Sequence, residues 1–363
     1  MLRSAIFGTA AVLGQSRTTV KEFEFGRISL GSGFQSVRGF ELENDFITCT
    51  VLSYGVTFQK ILVRDRTSIF DDVLMGFDNI DDYLKNNDYV GGLLGRYANR
   101  IGGASFTLYG QTYNLNPTSW DTNHIHGGTF GFDKVVWAGN VLTNGVEFFH
   151  SSPDGDEGYP GKLDTIVTIR LDGHEIDVTY ESRTDKPTHV NLSHHWFFNM
   201  NGHMNWGLVD DLKLIVPSED YLETDEENIP TGRVLPVSRS PFDLREGHFL
   251  TQGLLESVPG GHGIDICYAF PEDGKLKQMA VLAAPYTGRL LELKSTNPGL
   301  QVYTANWVPD TVGKYNIPYG KHTAVALEPQ FWPDSPNHAQ FPSTLLLPGQ
   351  YYKQQTKMAF YRI

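Results

Sequence analysis

The chain has 363 residues, 40% of them hydrophobic, with 22 Phe, 17 Tyr and 6 Trp, a composition that builds a large aromatic core and excludes disorder. Acidic residues outnumber Lys plus Arg by 42 to 29 and leave a net charge of −13, which argues against a nucleic acid partner. Two cysteines, Cys49 and Cys267, are too few for a disulfide framework and favour a reducing, cytoplasmic compartment.

The N terminus runs Met1-Leu2-Arg3, then a mildly apolar stretch over 5–13 diluted by Gly8 and Thr9, then Gly14-Gln15-Ser16-Arg17. Residues 1–21 read either as a plain extension or as a short secretory leader; a leader, cleaved near residue 14, would make the chain secreted. No other stretch approaches the length of a membrane span, so no membrane partner is expected.

In chain order, residues 46–58 carry the first strand pattern and 80–85 a short helical one. Leu163, Val167, Ile169 and Leu171 then alternate with Asp164, Thr168 and Arg170, Asp172-Gly173 turns the chain, and Ile176, Val178 and Tyr180 resume the alternation. This pattern predicts an antiparallel hairpin. Strand character recurs over 212–216, 288–295, 300–303, 322–327 and 351–361, with a second short helix over 251–258. The 37 Gly and 19 Pro are spread along the chain and mark no linker. The expectation is an all-β protein, a large antiparallel β-sandwich or distorted barrel with a few short helices, forming one domain over 22–363 with functional residues on strand ends and loops. A monomer is expected, with a homodimer as the alternative.

Three distant stretches concentrate groups able to move protons: His126-Gly127-Gly128, Asn191 through Asn199 with the pair His194-His195, and residues 327–337 around Glu328. If His124-Ile125-His126 is extended, two imidazoles share a face and a metal pair is conceivable, but no His-Glu-x-x-His or cysteine-bearing zinc pattern accompanies them. His194 and His195 point to opposite faces of any strand. Gly127-Gly128 permits close backbone approach and leaves room for a ligand beside the His126 ring, although a tight turn would use the same pair. Gly91-Gly92 and Gly95 form no phosphate-binding loop, so no nucleotide cofactor is expected.

Taken together, Gly95-Arg96-Tyr97-Ala98-Asn99-Arg100-Ile101, His126-Gly127-Gly128 leading to Gly131-Phe132-Asp133-Lys134 and Trp137, the Ser152 to Gly161 stretch, Asn191 to Asn199, Gln301-Val302-Tyr303-Thr304-Ala305-Asn306 and Leu327-Glu328-Pro329-Gln330 through Asn337 resemble the aldose 1-epimerase family, the galactose mutarotases. The six motifs occur in family order across residues 22–361. The resemblance implies the galactose mutarotase-like supersandwich, interconversion of α and β anomers of free aldohexoses such as galactose or glucose, and neither metal nor organic cofactor. By motif, Glu328 matches the general base, His195 the general acid and His126 a second active-site imidazole; Asn99, Arg100, Asp265 and Gln301 match sugar-binding positions. Trp120, Trp196, Phe331 and Trp332 are candidate platforms for the apolar face of a sugar, or core aromatics.

Three departures from the family pattern bear on substrate: Ile266-Cys267 follow Asp265 where His-Asn is common, His194 precedes the acid where Asn is common, and Pro329 follows Glu328 where Thr is common. Two further readings stand beside the first. One is a non-catalytic carbohydrate-binding protein. The other is a hexose 6-phosphate epimerase, for which Arg96 and Arg100 are the available cations and Arg96 the discriminating residue.

Overall fold

The alternation over 163–180 becomes pairing: strands Leu163–Asp172 and Glu175–Thr184 run antiparallel in continuous register from Leu163 opposite Thr184 to Asp172 opposite Glu175. Leu163, Val167, Ile169, Leu171, Ile176, Val178 and Tyr180 all turn inward and are buried. Gly173 makes the tight connection at φ 54°, a left-handed conformation that glycine adopts without a Cβ penalty. The computed structural model describes residues 17–31, 33–118 and 122–363. The N-terminal stretch read as an extension or leader lies outside these residues up to position 16, as does Trp120.

This hairpin sits in a nine-stranded antiparallel sheet that also takes in Gly145–Ser152 on one side and Tyr352–Arg362, Arg289–Ser295 and Lys277–Ala284 on the other. A six-stranded sheet runs in the order Phe197–Phe198, Val325–Gln330, Gly299–Tyr303, Asp265–Ala269, Asp220–Thr224 and Pro230–Pro236. The N-terminal strands β1 (Thr19–Leu30), β2 (Gly33–Glu43), β3 (Ile47–Leu52), β4 (Phe58–Arg64) and β5 (Phe70–Asp72) form a five-stranded antiparallel meander. The architecture is the all-β antiparallel sandwich expected from the sequence. Among the described residues, no helix is long and apolar enough to cross a membrane.

The six-stranded sheet positions the chemistry, because successive residues of a strand face opposite sides. Val325, Leu327, Leu300, Val302, Ile266 and Tyr268 enter the main core with Val167, Val178 and Tyr180 of the large sheet. Between them, Glu328, Gln301, Tyr303 and Asp265 turn to the other face, and all four line a single cleft. One alternation thus supplies both an apolar seal and a polar site.

Some predicted bounds shift for local reasons. The strand pattern over 46–58 is split, because Gly55 and Val56 take φ 63° and 46° and the chain reverses, with Leu52 N–H donating to Thr57 O at 2.8 Å. The strand expected over 322–327 begins only at Val325 and runs to Gln330, since His322 sits at φ 58° after a turn at Gly320. Helix α1 (Ile80–Lys85) matches its predicted span and is capped by Asn79, whose side chain accepts from Asp82 N–H. The second helix spans Gln252–Ser257, capped in the same way by Thr251.

Candidate active site

Strand register brings Glu328 and His195 together. Phe197 pairs with Ala326, and continuing that antiparallel register back by two residues sets His195 opposite Glu328. His195 is fixed there by Gly92 and Gly91, which exchange backbone hydrogen bonds with its N–H and carbonyl at 3.0 and 2.9 Å. Its Nε2 lies 3.7 Å from Glu328 Oε1, while Glu328 Oε2 has no hydrogen-bond partner in the protein. His194 points the other way, as alternation requires: it stacks on Trp196, accepts from the Tyr180 hydroxyl at 2.7 Å and donates to Val56 O at 3.1 Å.

On the other side of Glu328, register sets Gln301 directly opposite, and Gln301 Nε2 donates to Asp265 Oδ1 at 2.6 Å. His126 arrives on a separate loop. Its N–H bonds Asn99 O and its Nδ1 accepts from Asn99 N–H, both at 3.1 Å. A nitrogen that accepts carries no proton, so neutral His126 holds its hydrogen on Nε2 and acts as a donor in the cleft. The ring lies 5.3 Å from that of His195, and Tyr89 packs against both. Asn99 and Arg100 complete the wall, and the cleft encloses about 900 Å³.

Burial sets the electrostatics. It pushes the Glu328 carboxyl well above the ordinary carboxylate range, reinforced by the neighbouring charge of Asp265 and opposed by Arg100. Asp265 is raised too, by burial, with Arg100 and the Gln301 hydrogen bond pulling it back. Burial drives His195 down to about 3 and His126 well below the usual imidazole value. An imidazole in water titrates near neutrality, whereas a ring sealed between Phe197, Tyr89 and the sheet loses the solvation that stabilises its cation.

The seven residues predicted for the site, Glu328, His195, His126, Asn99, Arg100, Asp265 and Gln301, all line this cleft. Other readings are corrected. Trp196 and Phe331 belong to the main core, and Trp332 packs edge-on against Phe341 and donates to Pro298 O; none reaches the cleft. Instead Tyr89, Phe197 and Tyr303 supply its aromatic walls. Tyr303 lies within the Gln301-Val302-Tyr303-Thr304-Ala305-Asn306 motif, whereas Tyr89 has no local signature. Arg96 cannot meet a phosphate: its guanidinium is buried and donates to Ser152 Oγ and O, Pro153 O and Pro160 O.

The metal pair His124-His126 does not form, since His124 donates from Nδ1 to Asn116 O at 2.7 Å and accepts at Nε2 from Tyr159 OH at 2.8 Å. A different group, His126, His195 and Glu328, brings donor atoms within 4.8 Å of one another. The tautomer imposed by Asn99 puts a proton on the His126 nitrogen that a metal would need, which opposes ligation there. Gly127 and Gly128 make room for the chain and not for a ligand: a Cβ on Gly127 would lie 1.7 Å from Gly95 O, and one on Gly128 2.2 Å from Glu157 Oε2.

Comparison with known proteins places this site in context. A sequence model of the aldose 1-epimerase family matches residues 38–359. Mouse galactose mutarotase is 40% identical over 337 residues, covering 93% of this chain and 97% of the relative. The aldose 1-epimerase of Escherichia coli K12 is 32% identical over 324 residues, covering 87% and 93%. Among solved structures, an aldose epimerase homologue from C. elegans superposes with a TM-score of 0.80 at 25% identity, covering 88% of this chain and 96% of that one. A galactose 1-epimerase from Lactobacillus acidophilus shares the fold, with a TM-score of 0.79 at 24% identity and coverage of 96% and 99%.

Proposed function

The chain belongs to the aldose 1-epimerase family, and on that premise we propose that it interconverts the α and β anomers of free galactose or glucose without a cofactor, Glu328 and His195 exchanging the protons. The observation that carries this reading is the facing pair itself: a carboxylate and an imidazole 3.7 Å apart, both buried, at the wall of a cleft large enough for a sugar.

In the forward direction Glu328 takes the proton of the anomeric hydroxyl while His195 delivers one to the ring oxygen. The C1–O5 bond breaks and the open aldehyde forms. Rotation about C1–C2 presents the other carbonyl face, and reclosure with the proton roles reversed inverts C1. His126, a fixed Nε2–H donor, stabilises the oxygen on which charge develops. Asp265, Gln301, Asn99 and Arg100 hold the remaining hydroxyls.

The protonation states fit this scheme if the pair is treated as one unit. Burial favours the neutral forms, so in the free cleft the shared proton rests on Glu328. The reactive arrangement, carboxylate with imidazolium, holds the same number of protons; a bound sugar that hydrogen-bonds both groups selects it. A free sugar is favoured over a phosphorylated one by the acidic lining, where Asp78, Asp82, Asp88 and Asp310 stand against Lys85 and Arg100.

The test is saturation-transfer NMR on galactose and glucose, with polarimetry of the freshly dissolved α anomers. Exchange faster than in buffer and unaffected by exhaustive chelation is expected. Sugar binding without acceleration would select the carbohydrate-binding alternative, and loss of activity on chelation with recovery on adding a divalent metal would overturn the cofactor-free mechanism.

A further inference from the structure

Two imidazoles share the floor of the cleft with different tasks, His126 as a fixed donor and His195 as the proton carrier, and their rings stand 5.3 Å apart. Tyr89 touches both. It packs on His126 with ring centroids 4.7 Å apart and lies nearly parallel to His195, at 6.3 Å and 8°. It does so from a left-handed backbone, φ 54°, which a bulky residue keeps only where its surroundings hold it. The turn that Tyr89 begins also grips His195. Gly92 N–H returns to Tyr89 O at 2.9 Å, and Gly91 and Gly92 make the two backbone hydrogen bonds to the histidine.

Lys134 holds that ring. Its ammonium lies 4.6 Å from the centre of Tyr89, within reach of a cation–π contact, and pairs with Asp133 at 3.1 Å. Both residues belong to the short 3-10 turn Phe132–Lys134, pinned by Phe132 N–H to Gly95 O and by Lys134 N–H to Gly131 O, each at 3.0 Å. Asp133 is buried directly behind the His195 clamp, where a Cβ on Gly92 would come within 3.0 Å of its own. The Lys134 side chain is mostly buried, so solvent screens the contact less than at an open surface. The ammonium is also close enough to act on His126: after burial, its charge and those of His195, Arg100 and His124 oppose a proton on that ring. Lys134 itself stands outside the wall of the cleft.

We infer that Lys134 is a positioning residue for the reaction: through Tyr89 it fixes the two imidazoles relative to each other and to Glu328, and so governs the rate of proton exchange and not the holding of sugar. This rests on the proposed anomerase activity. Proton donors and acceptors work only within about 0.5 Å of the productive geometry, and a ring that contacts both imidazoles transmits any looseness of its own to both.

The experiment measures kcat and KM for galactose anomerisation, Kd for galactose by calorimetry, and the imidazole 1H–15N spectrum, in the wild-type chain, Lys134→Met, Lys134→Arg, Tyr89→Leu and the double variant. Lys134→Met keeps a long side chain without its charge. It should lower kcat about tenfold, the scale of a partly buried cation–π contact, with KM and Kd within about twofold. Lys134→Arg keeps the cation and should recover most of the loss. In the Tyr89→Leu background Lys134→Met should cost less than about a further twofold, because its effect passes through the ring. The His126 and His195 ring resonances should shift in Lys134→Met, a response that a loss of global stability alone does not produce. An unchanged kcat, the full loss persisting without Tyr89, or imidazole resonances that stay in place overturns the assignment. Lys134→Gln, a second neutral side chain, carries the same predictions should Lys134→Met fail to fold. If the wild-type chain anomerises no sugar, the proposed function fails, and the imidazole resonances still decide whether Lys134 sets the ring geometry.

Discussion

His195 lies two residues before the strand position that pairs Phe197 with Ala326, and this register alone brings its Nε2 to within 3.7 Å of Glu328 Oε1. A single-residue slip would turn the imidazole into the core and the carboxylate away from it.

The pH dependence follows from treating the pair as one titrating unit. Burial lowers His195 to about 3, so a second proton is taken up only at acid pH. Burial and Asp265 raise Glu328, so the last proton leaves only above the ordinary carboxylate range. Between those limits the pair of the free cleft holds one proton, so kcat/KM, which reports the free enzyme, should show no acid limb near pH 6.5, where an unperturbed imidazole would titrate, and should fall on the alkaline side. An acid limb centred near 6.5 would contradict this assignment.

Asp265→Asn removes a negative charge that raises Glu328. The pair's last proton should then leave at lower pH, moving the alkaline limb of kcat/KM to lower pH, while KM rises because the hydrogen bond from Gln301 loses its charged acceptor. A limb that stays in place would show that Asp265 only binds sugar.

His126→Leu keeps the approximate volume but removes the Nε2–H donor that Asn99 fixes. The loss in kcat should be roughly 10²-fold, the low end for removing one donor to a developing oxyanion, with little change in KM. A change confined to KM would make His126 a ground-state binding residue.

Arg96→Ala should destabilise the chain by about 3 kcal/mol in urea denaturation, since it leaves buried carbonyls of Ser152 and Pro160 without a charged donor. The ratio of activities on free and 6-phosphorylated hexoses should not move. A shift in that ratio would return Arg96 to substrate recognition.

The polar floor of the site was legible because its residues sit in short motifs: the His-His pair, the glutamate before Pro329, Asn99-Arg100, and Asp265 ahead of Ile266-Cys267. Alternation also revealed the Leu163–Thr184 hairpin, whose two faces differ sharply in polarity. The aromatic walls were not legible. Trp196 and Tyr89 are both buried aromatics, and only the strand face of the first and the loop path of the second decide that one enters the core and the other the cleft. The N-terminal hairpin of β1 and β2 escaped for a related reason: β1 is an edge strand of mostly exposed and half-exposed residues and carries little alternating signal. The burial that drives His195 to about 3 depends on Phe197, Tyr89 and Glu328, which meet it from different segments, so no local reading could foresee it.

Whether Glu328 moves the proton is decided by saturation-transfer NMR of galactose anomer exchange with Glu328→Gln. The substitution keeps the volume and the hydrogen-bonding capacity at the strand position opposite Gln301 while removing the proton acceptor. A folded protein is expected, with an unchanged urea midpoint and galactose still bound, whose exchange rate is roughly 10²–10⁴-fold lower. A folded variant that anomerises galactose within a few-fold of the wild-type rate would contradict it.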